Sequence, residues 1–188
     1  MKSIGKMVVL VGTLIVSAFM VGTGSAAEEK IVFNKDGSLD RPVGYRGWVH
    51  VGSTILPKGS VNIIENKPIP TNEIINTYVK PWVYDAYMKT GLWPEGTMIV
   101  KEFVALGEPD EDGLVHEIYF AGLAALVKDS KIFPAQTGHL GYFAFGHQRE
   151  PYLERAVLAD RFKCSSCHEK LASDQQYIFT DRHIGLRR

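Results

Sequence analysis

The sequence is poor in cysteine, in one-sided charge and in long apolar runs. Two cysteines, spaced Cys-x-x-Cys in a chain of 188 residues, make no disulfide framework, because so tight a pair cannot staple distant segments. Charge is balanced, with 21 Lys plus Arg against 21 Asp plus Glu, so there is no electrostatic footprint for nucleic acid. The apolar stretch from Met7 to Val21 is short for a membrane span and runs into the small residues Gly24-Ser25-Ala26-Ala27. With Lys2 and Lys6 ahead of it, this order is that of a secretory leader. The expectation is cleavage near Ala26 and export, with residues 1–26 as signal peptide and residues 27–188 as one domain. That remainder suffices for one packed core and is too little for two. No internal repeat or low-complexity block is present.

Strand signals dominate what remains. Tyr45 to Val51, Glu73 to Val79, Thr97 to Leu106 and Leu140 to Phe145 are rich in β-branched and aromatic residues, and Gly, Pro, Asn and Asp separate them. They predict an antiparallel sheet. Pro81 and Gly91 bracket a short helix over Trp82 to Lys89. Apolar spacing through Leu153, Ala156 and Val157 predicts a second helix over Glu150 to Arg161. Gly122 to Ser130 is a weaker third. The acidic segment Gly107 to Gly113 reads as a solvated loop without calcium-ligand spacing, and Arg182 to Arg188 as a solvated tail. The class is α+β, predominantly an antiparallel β-sheet with short packed helices.

Chemistry concentrates in Lys163-Cys164-Ser165-Ser166-Cys167-His168. In Cys-x-x-Cys-His the two thiols match the two vinyl groups of one haem, and the following imidazole falls under the iron. On this expectation Cys164 and Cys167 hold one covalent haem c, and His168 is the axial iron ligand. Two alternatives compete. A thioredoxin-like redox pair sits early in a βαβ pattern, whereas this pair lies near the carboxyl end; zinc would need a further ligand such as His183, whose spacing fits no common finger. Of the methionines only Met88 and Met98 follow the leader, both far upstream of the motif. A methionine sixth ligand is therefore not expected, and an open iron position is. His50, His116, His139, His147 and His183 each remain open as caps to it.

Strand alternation over Thr97 to Leu106 puts Ile99, Lys101, Phe103 and Ala105 on one face and Met98, Val100, Glu102, Val104 and Leu106 on the other. Each face carries one charge among apolar neighbours. Lys101 either packs its stem and pairs its ammonium, or burial lowers its pKa and leaves a nucleophilic amine.

Order and spacing across the chain resemble the cytochrome P460 family of periplasmic c-type haem proteins. The residues carrying the match are Tyr45-Arg46, Trp48, Val51-Gly52, Tyr78-Val79 with Pro81, Lys89-Thr90-Gly91 and Gly96-Thr97. Val100-Lys101-Glu102, Gly122-Leu123, Val127-Lys128-Asp129-Ser130-Lys131 and Phe179-Thr180 continue it. The resemblance implies that Lys101 bonds through its nitrogen to a meso carbon of the haem. It further implies a homodimer, and oxidation of hydroxylamine to nitric oxide or nitrous oxide with electrons passed to a small cytochrome c. Two departures bear on activity. Ala124 stands where such members carry a glutamate, and Ile75 where they carry an arginine; the loop after Lys101 is also shorter. A positioned base is worth roughly 10²–10⁴ in rate, which His116 or Glu117 would have to replace. A binder of nitric oxide without turnover, similar to the related cytochrome c′-β, is the alternative that these two distal-pocket positions favour; a simple electron carrier is disfavoured for want of a sixth ligand.

Overall fold

Nine strands and two α-helices organise the described residues, which in this computed structural model are 30–62, 64–148, 150–160 and 163–188. The leader expected over residues 1–26 lies outside them. In chain order the elements are β1 (Leu39–Asp40), β2 (Val49–Leu56), β3 (Val61–Asn62), β4 (Lys67–Pro68), β5 (Asn72–Val79), α1 (Pro81–Thr90), β6 (Met98–Leu106), β7 (Glu117–Lys128), β8 (Leu140–His147), β9 (Arg155–Ala156) and α2 (Ser165–Ala172). The main sheet is antiparallel with strand order β2-β5-β6-β7-β8, and β1-β9 and β3-β4 form two small pairs. The α+β class is as expected.

Pro81 opens α1 and Gly91, at φ 77°, closes it with its N–H on the Tyr87 carbonyl, the asymmetry that the two residue types favour. Val83 and Tyr87 are buried from this helix, and Tyr87 stacks on Trp93 at 4.1 Å. They belong to a core with Val79, Ile99 and Leu126 on one face of the sheet. On the other face Val100, Leu123, Val127, Phe143 and Phe145 pack against Leu39 and Ala156, which the β1-β9 pair supplies.

Four expectations are corrected. The strand expected from Tyr45 begins at Val49, after a 3-10 turn over Tyr45–Gly47. Gly122 to Lys128 is strand, not helix, since β7 lies between β6 and β8 and both its faces are covered; two-sided burial removes the alternation that marks a strand. No helix forms in the described part of Glu150 to Arg161. Leu153 and Val157 are exposed there, while Ala156 is buried by pairing with Leu39. The carboxyl end is no free tail either: Leu186 is 2% exposed and packs in the core that includes Val51 of β2.

Gly122 shows how tightly β7 and β8 meet. At φ 153° an added Cβ would lie 2.4 Å from the Gly146 carbonyl oxygen and 3.0 Å from the His147 Cα. Backbone cannot yield there as a flexible side chain would. Gly122→Ala is expected to cost about 1–3 kcal/mol through overpacking, read as a lower urea midpoint at unchanged slope.

Candidate functional site

β6 places the chemistry. Its alternation sends Ile99, Lys101 and Phe103 into a cavity of about 260 Å³, and Val100 and Glu102 to the opposite face. β5 adds Ile75 and Thr77 to the lining, β7 adds Ala124, and α2 with its leading residue adds Cys164, Cys167 and His168. Lys101 stands opposite Thr77 on one neighbouring strand and Ala124 on the other. The residues singled out from the sequence as site candidates, Ile75, Lys101, Ala124, Cys164, Cys167 and His168, therefore border a single space.

The two charges of β6 fare differently. Glu102 is compensated: Tyr45 Oη donates to it at 2.7 Å, Arg46 Nε at 2.8 Å, and Arg46 Nη2 forms an ion pair with it. Lys101 has no hydrogen-bond or ion-pair partner among the described residues. Burial pulls its pKa below the ordinary lysine value, and the nearby Arg182 charge pulls the same way. The amine state of Lys101 is thereby favoured, which is the form able to act as a nucleophile.

α2 arrays the other groups. Cys164 precedes its first turn, Cys167 and His168 lie within it, and the His168 N–H bonds the Cys164 carbonyl at 3.3 Å. Spacings of three and four put all three side chains on neighbouring positions of one helix face. The thiols are not joined to each other, and burial pushes the Cys164 pKa up, with the Lys163 charge opposing.

His168 is oriented from behind. Its Nδ1 lies 2.7 Å from the Tyr177 carbonyl oxygen, a group that only accepts, so Nδ1 carries the proton and Nε2 keeps its lone pair. Tyr142 at 4.8 Å and Phe179 at 4.7 Å flank the ring, and Arg182 sits 4.1 Å over Phe179. Burial pushes the His168 pKa down to about 4, with the Tyr177 hydrogen bond opposing. A neutral imidazole with one tethered nitrogen is how a metal-ligating histidine is ordinarily presented.

The remaining histidines now separate. His50 bonds Ser53 at 3.0 Å on the exposed surface, His116 bonds Asp110 at 2.7 Å, His139 bonds the Phe133 carbonyl at 2.9 Å, and His147 bonds Glu73 at 2.8 Å. His183 lines the cavity. His116 and Glu117 are exposed and are not among the residues lining it. Thr77 joins the site residues: alternation along β5 puts Glu73, Ile75, Thr77 and Val79 on one face, and Thr77 stands opposite Lys101 in the lining.

Two thiols and a tethered imidazole on one helix turn, facing a largely apolar cavity with an unpaired amine on its floor, suit a planar apolar group with reactive edges and a central metal. These residues fit a c-type haem. The sequence profile of the family described as cytochrome P460 matches residues 42–180, a span that holds all six residues and stops short of His183. No curated protein matches the chain.

Proposed function

The chain belongs to the cytochrome P460 family of c-type haem proteins, and from that membership we propose that it oxidises hydroxylamine and passes the electrons to a small cytochrome c. The observation that carries the proposal is Lys101, half-buried and unpaired in the cavity shared with Cys164, Cys167 and His168. A mere gas pocket gains nothing from such a lysine, whose desolvation is costly unless the group is used.

In this reading Cys164 and Cys167 would hold the haem as thioethers, and His168, its Nδ1 held by the Tyr177 carbonyl, would offer Nε2 to the iron. The haem, when bound, supplies the iron that takes the nitrogen ligand and the path by which electrons leave. Lys101 would offer its amine to the porphyrin rim, where a C–N bond would replace a C–H bond with loss of two protons and of two electrons to an external oxidant. Conversion of hydroxylamine to nitric oxide releases three electrons and three protons, the electrons going to the acceptor cytochrome and the protons to a base or water. Neither Ala124 nor Ile75 can take them. Export after cleavage near Ala26, a periplasmic location and a homodimer belong to the same proposal.

Ile75, Phe103 and Ala124 on the cavity wall favour a second reading, a nitric-oxide binder like cytochrome c′-β, because an apolar wall admits small neutral ligands. Hydroxylamine and an artificial electron acceptor added to the holoprotein separate the two. Sustained reduction of the dye over many turnovers is expected. A change in the haem spectrum with no continuing dye reduction would move the protein to the binder class.

A further inference from the structure

The Tyr177 carbonyl that holds His168 Nδ1 comes from an uncommon stretch of backbone. After α2 the chain makes a 3-10 turn over Ser173–Gln175 and then sets two consecutive residues, Gln176 at φ 57° and Tyr177 at φ 65°, in the left-handed region. Residues with a Cβ adopt that region reluctantly, so a pair of them persists only where the surroundings over-determine it. The outcome is a reversal that returns the Tyr177 carbonyl to an imidazole nine residues earlier.

The Gln176 side chain supplies much of that constraint. Its Oε1 accepts the Trp93 N–H at 3.1 Å, and its Nε2 donates to the Gly91 carbonyl at 2.7 Å. One amide thus closes on two backbone groups of the loop after α1, 83 and 85 residues distant in sequence. That loop is itself held. Gly91 caps α1 with its N–H on the Tyr87 carbonyl, and Thr90 Oγ1 accepts the Leu92 N–H at 3.1 Å. The Trp93 carbonyl accepts from Lys128 Nζ of β7 at 2.6 Å, and the buried Trp93 ring stacks on Tyr87.

Tyr177 is seated from its own side as well. Its N–H donates to the Ala172 carbonyl at the end of α2 at 2.6 Å, and its ring lies against Gly138, where an added Cβ would come within 2.7 Å of the Tyr177 Cγ. A line of contacts therefore runs from the end of α1 through the Gln176 amide and the Tyr177 carbonyl to His168. Gln176 is not among the residues lining the cavity; the carbonyl of the next residue is the route by which it reaches the site.

We infer that Gln176 is a positioning residue: its side-chain amide, clamped on the loop after α1, aims the Tyr177 carbonyl at His168 Nδ1 and so sets how strongly His168 would donate to the haem iron. An acceptor on the far ring nitrogen raises the basicity of a ligating imidazole, and a more basic imidazole stabilises the ferric state over the ferrous. This role rests on the haem reading above and is independent of the hydroxylamine one.

Two variants separate the amide from the backbone it holds. Gln176→Gly removes the amide but suits the left-handed region; Gln176→Leu removes the amide and keeps a Cβ. In haem-loaded full-length protein both are expected to lower the iron–histidine stretching frequency of the ferrous form, read by resonance Raman. Both should also shift the ferric–ferrous equilibrium about three- to tenfold toward ferrous, the scale of one lost hydrogen bond, read as a higher midpoint potential. Variants that melt earlier yet keep the wild-type frequency and potential would overturn the inference and leave Gln176 a structural residue. A shift in Gln176→Leu with none in Gln176→Gly would overturn it too, since the backbone and not the amide would then set the carbonyl. Wild-type protein gives a check that needs no variant: its frequency should lie above that of a ferrous haem–imidazole compound with no acceptor on the ring N–H, and equality would remove the bond on which the role depends. No readout requires turnover, so a protein that shows the shifts but never reduces dye with hydroxylamine sinks the oxidase reading and leaves the positioning role standing. A ferrous holoprotein with no iron–histidine vibration defeats the haem-ligand reading and the role with it.

Discussion

Proteolysis of the purified holoprotein is expected to yield one haem-bearing species in which the peptide containing Cys164, Cys167 and His168 stays covalently joined to the peptide containing Lys101. In Lys101→Ala the haem should remain on the cysteine peptide alone, the absorption spectrum should move toward that of an ordinary c-type haem, and hydroxylamine-dependent dye reduction should fall by about 10² or more, the scale that a small misplacement of a reacting group carries. The argument is local. Lys101 is flanked across the sheet by Thr77 and Ala124, neither of which can hold an ammonium as a carboxylate would, and burial favours its amine. Lys101→Arg is the sharper control. It preserves a long cation, but a guanidinium is never deprotonated in proteins and cannot make the bond. Recovery of free, unmodified Lys101 peptide from wild-type holoprotein would defeat the cross-link and turn the functional reading toward gas binding.

A second large effect is expected away from the haem residues. Glu73 and His147 side chains are both 0% exposed and meet at 2.8 Å, and Gln148 Nε2 also donates to Glu73. The His147 ring lies 4.4 Å from Phe103, which lines the cavity, so this pair backs the wall of the site. Replacing Glu73 by leucine strands the His147 donor in the interior and takes the acceptor from half-buried Gln148, and is expected to cost about 3–5 kcal/mol, each kcal/mol lowering the thermal midpoint by about 2–4 °C. Glu73→Leu combined with His147→Leu should recover part of that loss, because the orphaned imidazole goes with its partner. A single Glu73→Leu that melts within half a kcal/mol (~0.5) of the parent would show that the pair is not what holds this corner.

The residues that were legible in sequence share a property: their pattern is local. β5, β6 and β8 are dense in β-branched and aromatic residues, and the six residues from Lys163 to His168 carry their chemistry in their own spacing. Alternation along β6 was enough to set Lys101 apart from Glu102. What escaped is set by partners distant in the chain. β7 reads as helix because Ala121, Leu123, Ala125 and Leu126 are buried on both faces, and only its position between two strands explains that. Residues 150–160 carry a helix-like spacing, but the pairing of Ala156 with Leu39 decides their backbone. The C-terminal segment looks like a charged tail until the bulge at Val51 and the bare Cα of Gly52 are known to receive it. Nothing near His183 in sequence announces that seat.

Lys101 and Glu102 are consecutive yet never compensate each other, because a pleated strand throws them to opposite sides. Tyr45 and Arg46 grip the carboxylate from outside the cavity, and in doing so they index the strand. Sliding β6 by one position would plunge an acid into the porphyrin chamber and swing the amine out toward a guanidinium that repels it, the all-or-nothing inversion that a period of two imposes. A clasp on the face away from the cavity is thus the alignment pin of the reactive nitrogen.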